Sequence, residues 1–285
     1  MLSAQQLLAT SDKRRPIRSL REQYNVYIMD RVEHYKNSIS RQELLRQAEE
    51  ALIDLRHDEQ FPLTEMLMET VVDEFIKKRL GIKGFESWRK SYPKLRAGQR
   101  DPTHWGLDAS HLVATLAPRI EPGDPVLVIG GGAEASAYLL AAHDALVTFI
   151  DHDVRLVERA EHRIALESLS SSFEALCMQF GMWLPSVGAA FQLVVLDAGT
   201  LASLNPGERR VLLGELQQIT VPGGLHAVVP DAMGGGAEGL AGHYAQWQRE
   251  PLPHAGRPRR GAPSRGALFS CPPLAEPTRQ QGARA

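Results

Sequence analysis

Three consecutive glycines stand where a short apolar run gives way to a helix-forming stretch. Val126-Leu127-Val128-Ile129 leads into Gly130-Gly131-Gly132-Ala133-Glu134-Ala135. Glycine lets the backbone adopt positive φ and lets a ligand approach it closely. Asp151, 21 residues after Gly130, ends the next apolar run, Leu146-Val147-Thr148-Phe149-Ile150. In an open α/β sheet the ligand crevice lies beyond the carboxyl ends of the strands. The turn and Asp151 therefore meet there, where a carboxylate can accept hydrogen bonds from both hydroxyls of a ribose. The plainer alternative is a tight turn that needs glycine, beside an Asp that caps the next helix. Read as G-x-G-x-x-A with an acid about 20 residues on, the pair also fits the dinucleotide fingerprint.

The elements that must position these residues follow from periodicity. From Pro125 onward, buried strands alternate with helical stretches. The strands are Val126–Ile129, Leu146–Ile150, Phe191–Leu196 and Leu225–Val229, and the helices are Ala135–Ala142, Val154–Leu169 and Arg209–Ile219. Such alternation gives a parallel sheet with both faces covered. Residues 1–105 read as helices. Tyr24, Ile28, Val32 and Tyr35 share one face, and Ser40 with Glu43 has capping-box spacing ahead of Leu45, Ala48, Leu52 and Leu55. A third helix runs from Pro62 to Leu80 with Gly81 as its stop. The expected fold is thus α/β, a Rossmann-like, doubly wound, mostly parallel sheet preceded by an all-helical domain. The expected division is 1–105, 106–248 and a Pro/Arg-rich 249–285, partly disordered, with Ala267–Ser270 as one late strand.

Residues 105–230 resemble the class I S-adenosylmethionine-dependent methyltransferases. The interval from Gly130 to Asp151 is similar to that family's spacing between its first glycine and its ribose-binding acid. Phe191-Gln192-Leu193-Val194-Val195-Leu196-Asp197 looks like its "FDLVVxD" fourth strand, and Val221-Pro222-Gly223-Gly224 like its "L-x-P-G-G" turn. Two positions depart from the pattern: Val128 stands where an acid is common, and Glu134 where the last glycine is common. The resemblance implies S-adenosyl-L-methionine as cosubstrate, held by Gly130, Gly131, Gly132, Ala133, Glu134, Asp151, His152 and Asp197. It sets Phe180-Gly181 where an Asp would hold the adenine amino group, so adenine would be held by stacking and backbone amides. Asp197 would bind the methionine amino group, orient the acceptor, or simply cap a helix.

Methyl transfer needs positioning more than a fixed catalytic side chain, because the sulfonium is already a strong electrophile. The acceptor side is therefore read from position alone. His104 and Trp105 precede the helix 107–117 that leads into the sheet, and Tyr24, Tyr27 and Tyr35 could line an acceptor pocket under a helical lid. Each of these is equally at home in packing. His152, Asp153, His162 and His226 form no metal spacing, so no metal is expected. Cys177 reads as a small buried residue.

Composition narrows the classes of partner. The chain has 285 residues, 43% hydrophobic and 23% charged, with a net charge of −2. Residues 106–248 carry 6 basic against 16 acidic side chains and no lysine, whereas 1–105 carry 19 against 16 and 249–285 carry 7 against 2. An acidic central domain repels a phosphate backbone, so nucleic acid is not the expected partner. No apolar run approaches the roughly 20 residues that span a bilayer. The first residues put charge after the apolar stretch, the reverse of a secretory signal, and two cysteines make no disulfide framework. A cytoplasmic enzyme acting on a small-molecule acceptor is expected, with a homodimer compatible with the apolar helix faces. Three alternatives stay open. One is nicotianamine synthase-like use of the aminobutyryl group, by transfer or cyclisation, and another is a catalytically inactive binding domain. The third is a nicotinamide-dependent oxidoreductase.

Overall fold

The computed structural model describes residues 19–56, 65–180, 190–230, 239–252 and 266–273. Four helices come first: α1 (Leu20–Ser38), α2 (Arg41–Arg56), α3 (Glu65–Arg79) and α4 (Phe85–Gln99). Ser19 and Glu22 form a reciprocal capping box at the start of α1. Gly81 follows α3 at φ 61°, the left-handed stop its sequence suggested. Pro62, the expected start of α3, lies outside the described residues. The helix α4 lies within the segment read as helical, though no separate helix was assigned there, and Pro93 inside it removes a helical donor. Tertiary packing overrides that cost. Trp88 lies 5.3 Å from Tyr24 and 4.6 Å from Tyr92, and the Tyr24 hydroxyl donates to the Lys83 carbonyl.

A short turn, Pro102–Trp105, and α5 (Leu112–Leu116) lead into the sheet. The sheet region then runs β1 (Pro125–Ile129), α6 (Glu134–Ala142), β2 (Leu146–Asp151), α7 (Val154–Leu166), β3 (Phe173–Cys177) and β4 (Phe191–Asp197). It continues with α8 (Ala198–Ser203), α9 (Pro206–Gln218), β5 (Thr220–Val229), β6 (Gln248–Glu250) and β7 (Ala267–Ser270). The seven strands lie in the order β3-β2-β1-β4-β5-β7-β6. β1 to β5 are parallel, while β7 runs antiparallel between β5 and β6. The sheet is therefore Rossmann-like and mostly parallel, as the alternation of elements implied. It departs from the 3-2-1-4-5-6 order of dinucleotide-binding folds by this inserted antiparallel strand.

The apolar strand runs are explained by burial on both faces. Val126 and Val128 of β1 point into the cluster with Leu139, Leu140 and Ile164, while Leu127 and Ile129 point into the cluster with Leu212, Leu213 and Leu216. Each such side chain stabilises the fold by about 1.5–3 kcal/mol. The exception is β3, an edge strand with a half-exposed pattern and no long apolar run. That is why its sequence did not announce it, and why Cys177 is exposed rather than buried.

A polar cluster braces the far side of the sheet. The Thr220 hydroxyl donates to the Leu216 carbonyl at 2.7 Å, so it accepts from His226 Nε2 at 2.8 Å. That fixes the tautomer, leaving Nδ1 to accept from the Tyr244 hydroxyl at 2.8 Å. Burial pushes the His226 pKa down to about 3 and holds the imidazole neutral.

The helical segment docks at the amino-terminal edge of the sheet. Arg96 and Arg100 both pair with Asp144, and they also donate to the Ala141 and Ala142 carbonyls at 3.3 and 3.2 Å. Two cations thus bond to carbonyls at the end of α6, where the helix dipole favours positive charge. Gln99 Nε2 donates to the Glu167 carbonyl at 2.6 Å, and the Trp105 indole donates to the Gln99 carbonyl at 2.7 Å. Along the side, His34 of α1 meets His162 of α7, with Nδ1 atoms 3.1 Å apart. Among the described residues no helix is long and apolar enough to cross a membrane.

Candidate functional site

β1 sits where the strand order reverses, between β2 on one side and β4 on the other. A crevice opens beyond the carboxyl ends of strands at such a point. The glycine turn, Asp151 and Asp197 all lie on that edge, because they end β1, β2 and β4.

The turn is tight. Gly130 has φ 96°, a conformation that favours glycine, and its N–H donates to the Ile150 carbonyl of β2 at 2.9 Å. Residues Gly131–Ala133 then make one 3-10 turn and Glu134 opens α6. Much of the requirement for glycine comes from the protein itself. A Cβ at Gly130 would lie 2.2 Å from Thr200 Oγ1, and one at Gly132 would lie 2.4 Å from Asp197 Oδ1. A Cβ at Gly131 would lie 2.5 Å from Leu156 Cδ1 and 3.4 Å from Asp151 Oδ2. The turn is wedged between the two strand-tip carboxylates and their following helices.

Those carboxylates differ in what they leave open. Asp197 is the N-cap of α8 and uses both oxygens: Oδ1 accepts from Gly199 N at 3.2 Å, and Oδ2 from Thr200 N and Thr200 Oγ1, both at 2.9 Å. Asp151 is 1% exposed, and its Oδ1 accepts from Asp153 N at 2.8 Å and lies 3.3 Å from His152 Nδ1. Its Oδ2 faces Gly131 and bonds to no described group. One acceptor oxygen is therefore unspent, next to the turn.

His152 is more than half exposed, and its ring meets Phe180 edge-to-face at 5.7 Å. Phe180 is 5% exposed and packs in the cluster with Ile129 and Ile150. Gly181 lies outside the described residues. Glu134 is committed elsewhere, to Arg159 of α7 and to the Tyr138 hydroxyl. Val128, at the position of the missing acid, is fully buried.

The acceptor-side candidates are not gathered at this edge. Tyr24 and Tyr27 pack in the Trp88 cluster, and the Tyr35 hydroxyl pairs with Gln47 Oε1 at 3.2 Å. His104 Nε2 lies 3.2 Å from Glu167 Oε2, past the end of α7 at the opposite edge. Trp105 packs at 5.2 Å on Tyr138, with the Arg163 guanidinium 5.6 Å from its ring. Thr200 and Leu156 are the residues that sequence reasoning passed over. Their signal is only positional, since each lies a few places after a strand-end Asp. Among the described residues no cluster of three or more His, Cys, Asp or Glu could hold a metal ion.

No protein-family model matches the chain. Solved structures similar to it include the glycopeptide N-methyltransferase MtfA complexed with (S)-adenosyl-L-homocysteine, at 18% identity and TM-score 0.37, covering 43% of this chain and 52% of that one. N-methyltransferase NodS from Bradyrhizobium japonicum WM9 is 18% identical at TM-score 0.44, covering 56% of this chain and 92% of that one. The [4+2]-cyclase SpnF is 21% identical at TM-score 0.42, covering 50% and 59% respectively. The chain thus spans about half the length of MtfA.

Proposed function

We propose that this chain is an S-adenosylmethionine-dependent transferase that moves the methyl group to a small-molecule acceptor. The observation that carries the reading is the unspent Asp151 Oδ2 beside Gly131 at the switch point of the sheet. A carboxylate oxygen that bonds to no described group, on an otherwise buried side chain, is free to accept from a donor, and the hydroxyls of a ribose are donors of the right kind. In this reading the Gly130–Ala133 backbone lies along the nucleoside, Asp151 accepts from the ribose, and His152 with Phe180 flanks the adenine. The antiparallel β7 favours this over the nicotinamide alternative, since dinucleotide-binding sheets continue in parallel there. The bound cosubstrate supplies an electrophilic sulfonium methyl. The chain's own work is to orient it and exclude water.

Aminobutyryl transfer or cyclisation is the second reading. Glu134 and Asp197, two of the carboxylates beside the turn, are both bonded within the protein. The amino-acid end of the cosubstrate would therefore be held differently from the arrangement the family motif implies. The coproduct separates the readings, because methyl transfer releases S-adenosylhomocysteine and the other releases methylthioadenosine.

Calorimetric titration with S-adenosylhomocysteine tests the site. Asp151→Ala is expected to weaken binding by about 1–3 kcal/mol, the scale of a charge-assisted hydrogen bond. Unchanged affinity in a folded variant would remove the assignment.

A further inference from the structure

The exit of the glycine turn is locked from the side by three residues. Glu134 opens α6, so its carboxylate sits at the positive end of the helix dipole. It is turned towards α7, where Arg159 grips it with both ends of its fork, Nε to Oε1 at 3.1 Å and Nη2 to Oε2. Tyr138, one turn along α6, donates its hydroxyl to Oε1. The Tyr138 ring is wedged against Trp105 at 5.2 Å and Phe173 at 6.0 Å, so packing aims the hydroxyl. Burial and the bond to Glu134 raise the Tyr138 pKa, which keeps it a donor.

Leu156 and Arg159 are three residues apart on α7 and share a face of it. That face meets the turn at two places, with Leu156 over Gly131 and Arg159 on Glu134. The same helix is capped by Asp153, whose N–H is held by Asp151. Both ends of the turn are thereby fixed against α7, the helix that follows the ribose-binding carboxylate at the end of β2. An ion pair whose arginine is 59% exposed contributes little to global stability, so its consequence is local geometry. Binding sites depend on such supporting contacts to hold their groups in register.

We propose that Arg159 and Tyr138 are positioning residues for the nucleoside site, acting through Glu134 to hold the glycine turn in register with Asp151. This rests on the nucleoside-binding reading of the crevice. The test is calorimetric titration of the full chain with S-adenosylhomocysteine, alongside thermal unfolding. Arg159→Ala is expected to bind about tenfold more weakly, and Tyr138→Phe about threefold, with unfolding midpoints near that of the unmodified chain. Arg159→Lys keeps the charge without the fork and should stay within about threefold of the unmodified chain. If the unmodified chain binds and Arg159→Ala binds as tightly, the proposal is overturned. Equal weakening in Arg159→Ala and Arg159→Lys with a fallen midpoint overturns it too, as a general loss of structure. Should Arg159→Ala fail to fold, Tyr138→Phe decides by the same comparison, because it keeps the ring against Trp105. An unmodified chain that binds nothing removes the nucleoside reading itself, and the lock's role with it.

Discussion

The strand-tip aspartates and the two carboxylates that receive the helical segment spend their oxygens in opposite ways. At the carboxyl-terminal edge Asp151, Asp153 and Asp197 bond to backbone N–H groups two or three residues ahead. At the amino-terminal edge Asp144 and Glu167 take partners from Arg96, Arg100, Gln99 and His104, between 44 and 68 residues away, and Glu167 also pairs with Arg163 one turn before it. Local caps shape a rim and leave Asp151 Oδ2 open. Long-range pairs fasten one part of the chain to another and leave nothing open. The first arrangement suits a binding edge and the second a docking edge. Of the candidates, His104 and Trp105 belong with the docking contacts, while Tyr24, Tyr27 and Tyr35 pack within the helical segment, and a lid formed by that segment gains no support from where they lie.

The largest effect should come from breaking the docking edge. Asp144→Asn tolerates the observed φ of 66° yet strips Arg96, whose side chain is 8% exposed, of its counter-charge. Leaving the buried Arg96 without its counter-charge should cost about 3 kcal/mol in urea unfolding. S-adenosylhomocysteine affinity of the folded fraction should hold, and a matching loss of affinity would erase the distinction between the edges. Gly130→Ala attacks the other edge. Its Cβ meets Thr200 Oγ1, and φ 96° strains any side chain, so about 2 kcal/mol of stability should be lost together with nucleoside binding. Retained binding would separate the turn from the site.

The smallest effect is acidic and lies between the edges, at His226. Its folded pKa of about 3 is below the unfolded 6.5, so the unfolded chain binds the extra proton as pH falls. Stability from this group is present above pH 6.5 and drains away towards pH 3. Between about pH 7 and about pH 5.5 the loss should be about 1 kcal/mol, read from urea midpoints. A His226→Leu variant should lack that slope, and an identical slope would assign it to other groups.

The sequence was most legible where contacts are local. Gly81, the Ser40 half of the Ser40–Glu43 cap and the strand runs at 126–129, 146–150 and 191–196 appear where their spacing placed them, while the Glu43 carboxylate turns to Arg46 and Gln47. β3, α8 and β6 escaped because short or half-exposed elements carry no periodic signal. No separate helix was assigned at α4: Pro93 argues against one locally, while Trp88, Arg96 and Gln99 argue for it only through distant partners.

By itself the sequence determined the Rossmann-like alternation and the meeting of the glycine turn with Asp151, since both follow from burial pattern and from chain order at a switch point. The tertiary structure alone decided that β7 runs antiparallel, that Asp197 and Glu134 are consumed within the protein, and that Asp151 keeps one oxygen unspent. Those outcomes depend on which side chains meet across tens of residues, and a spacing rule has no knowledge of partners it cannot reach.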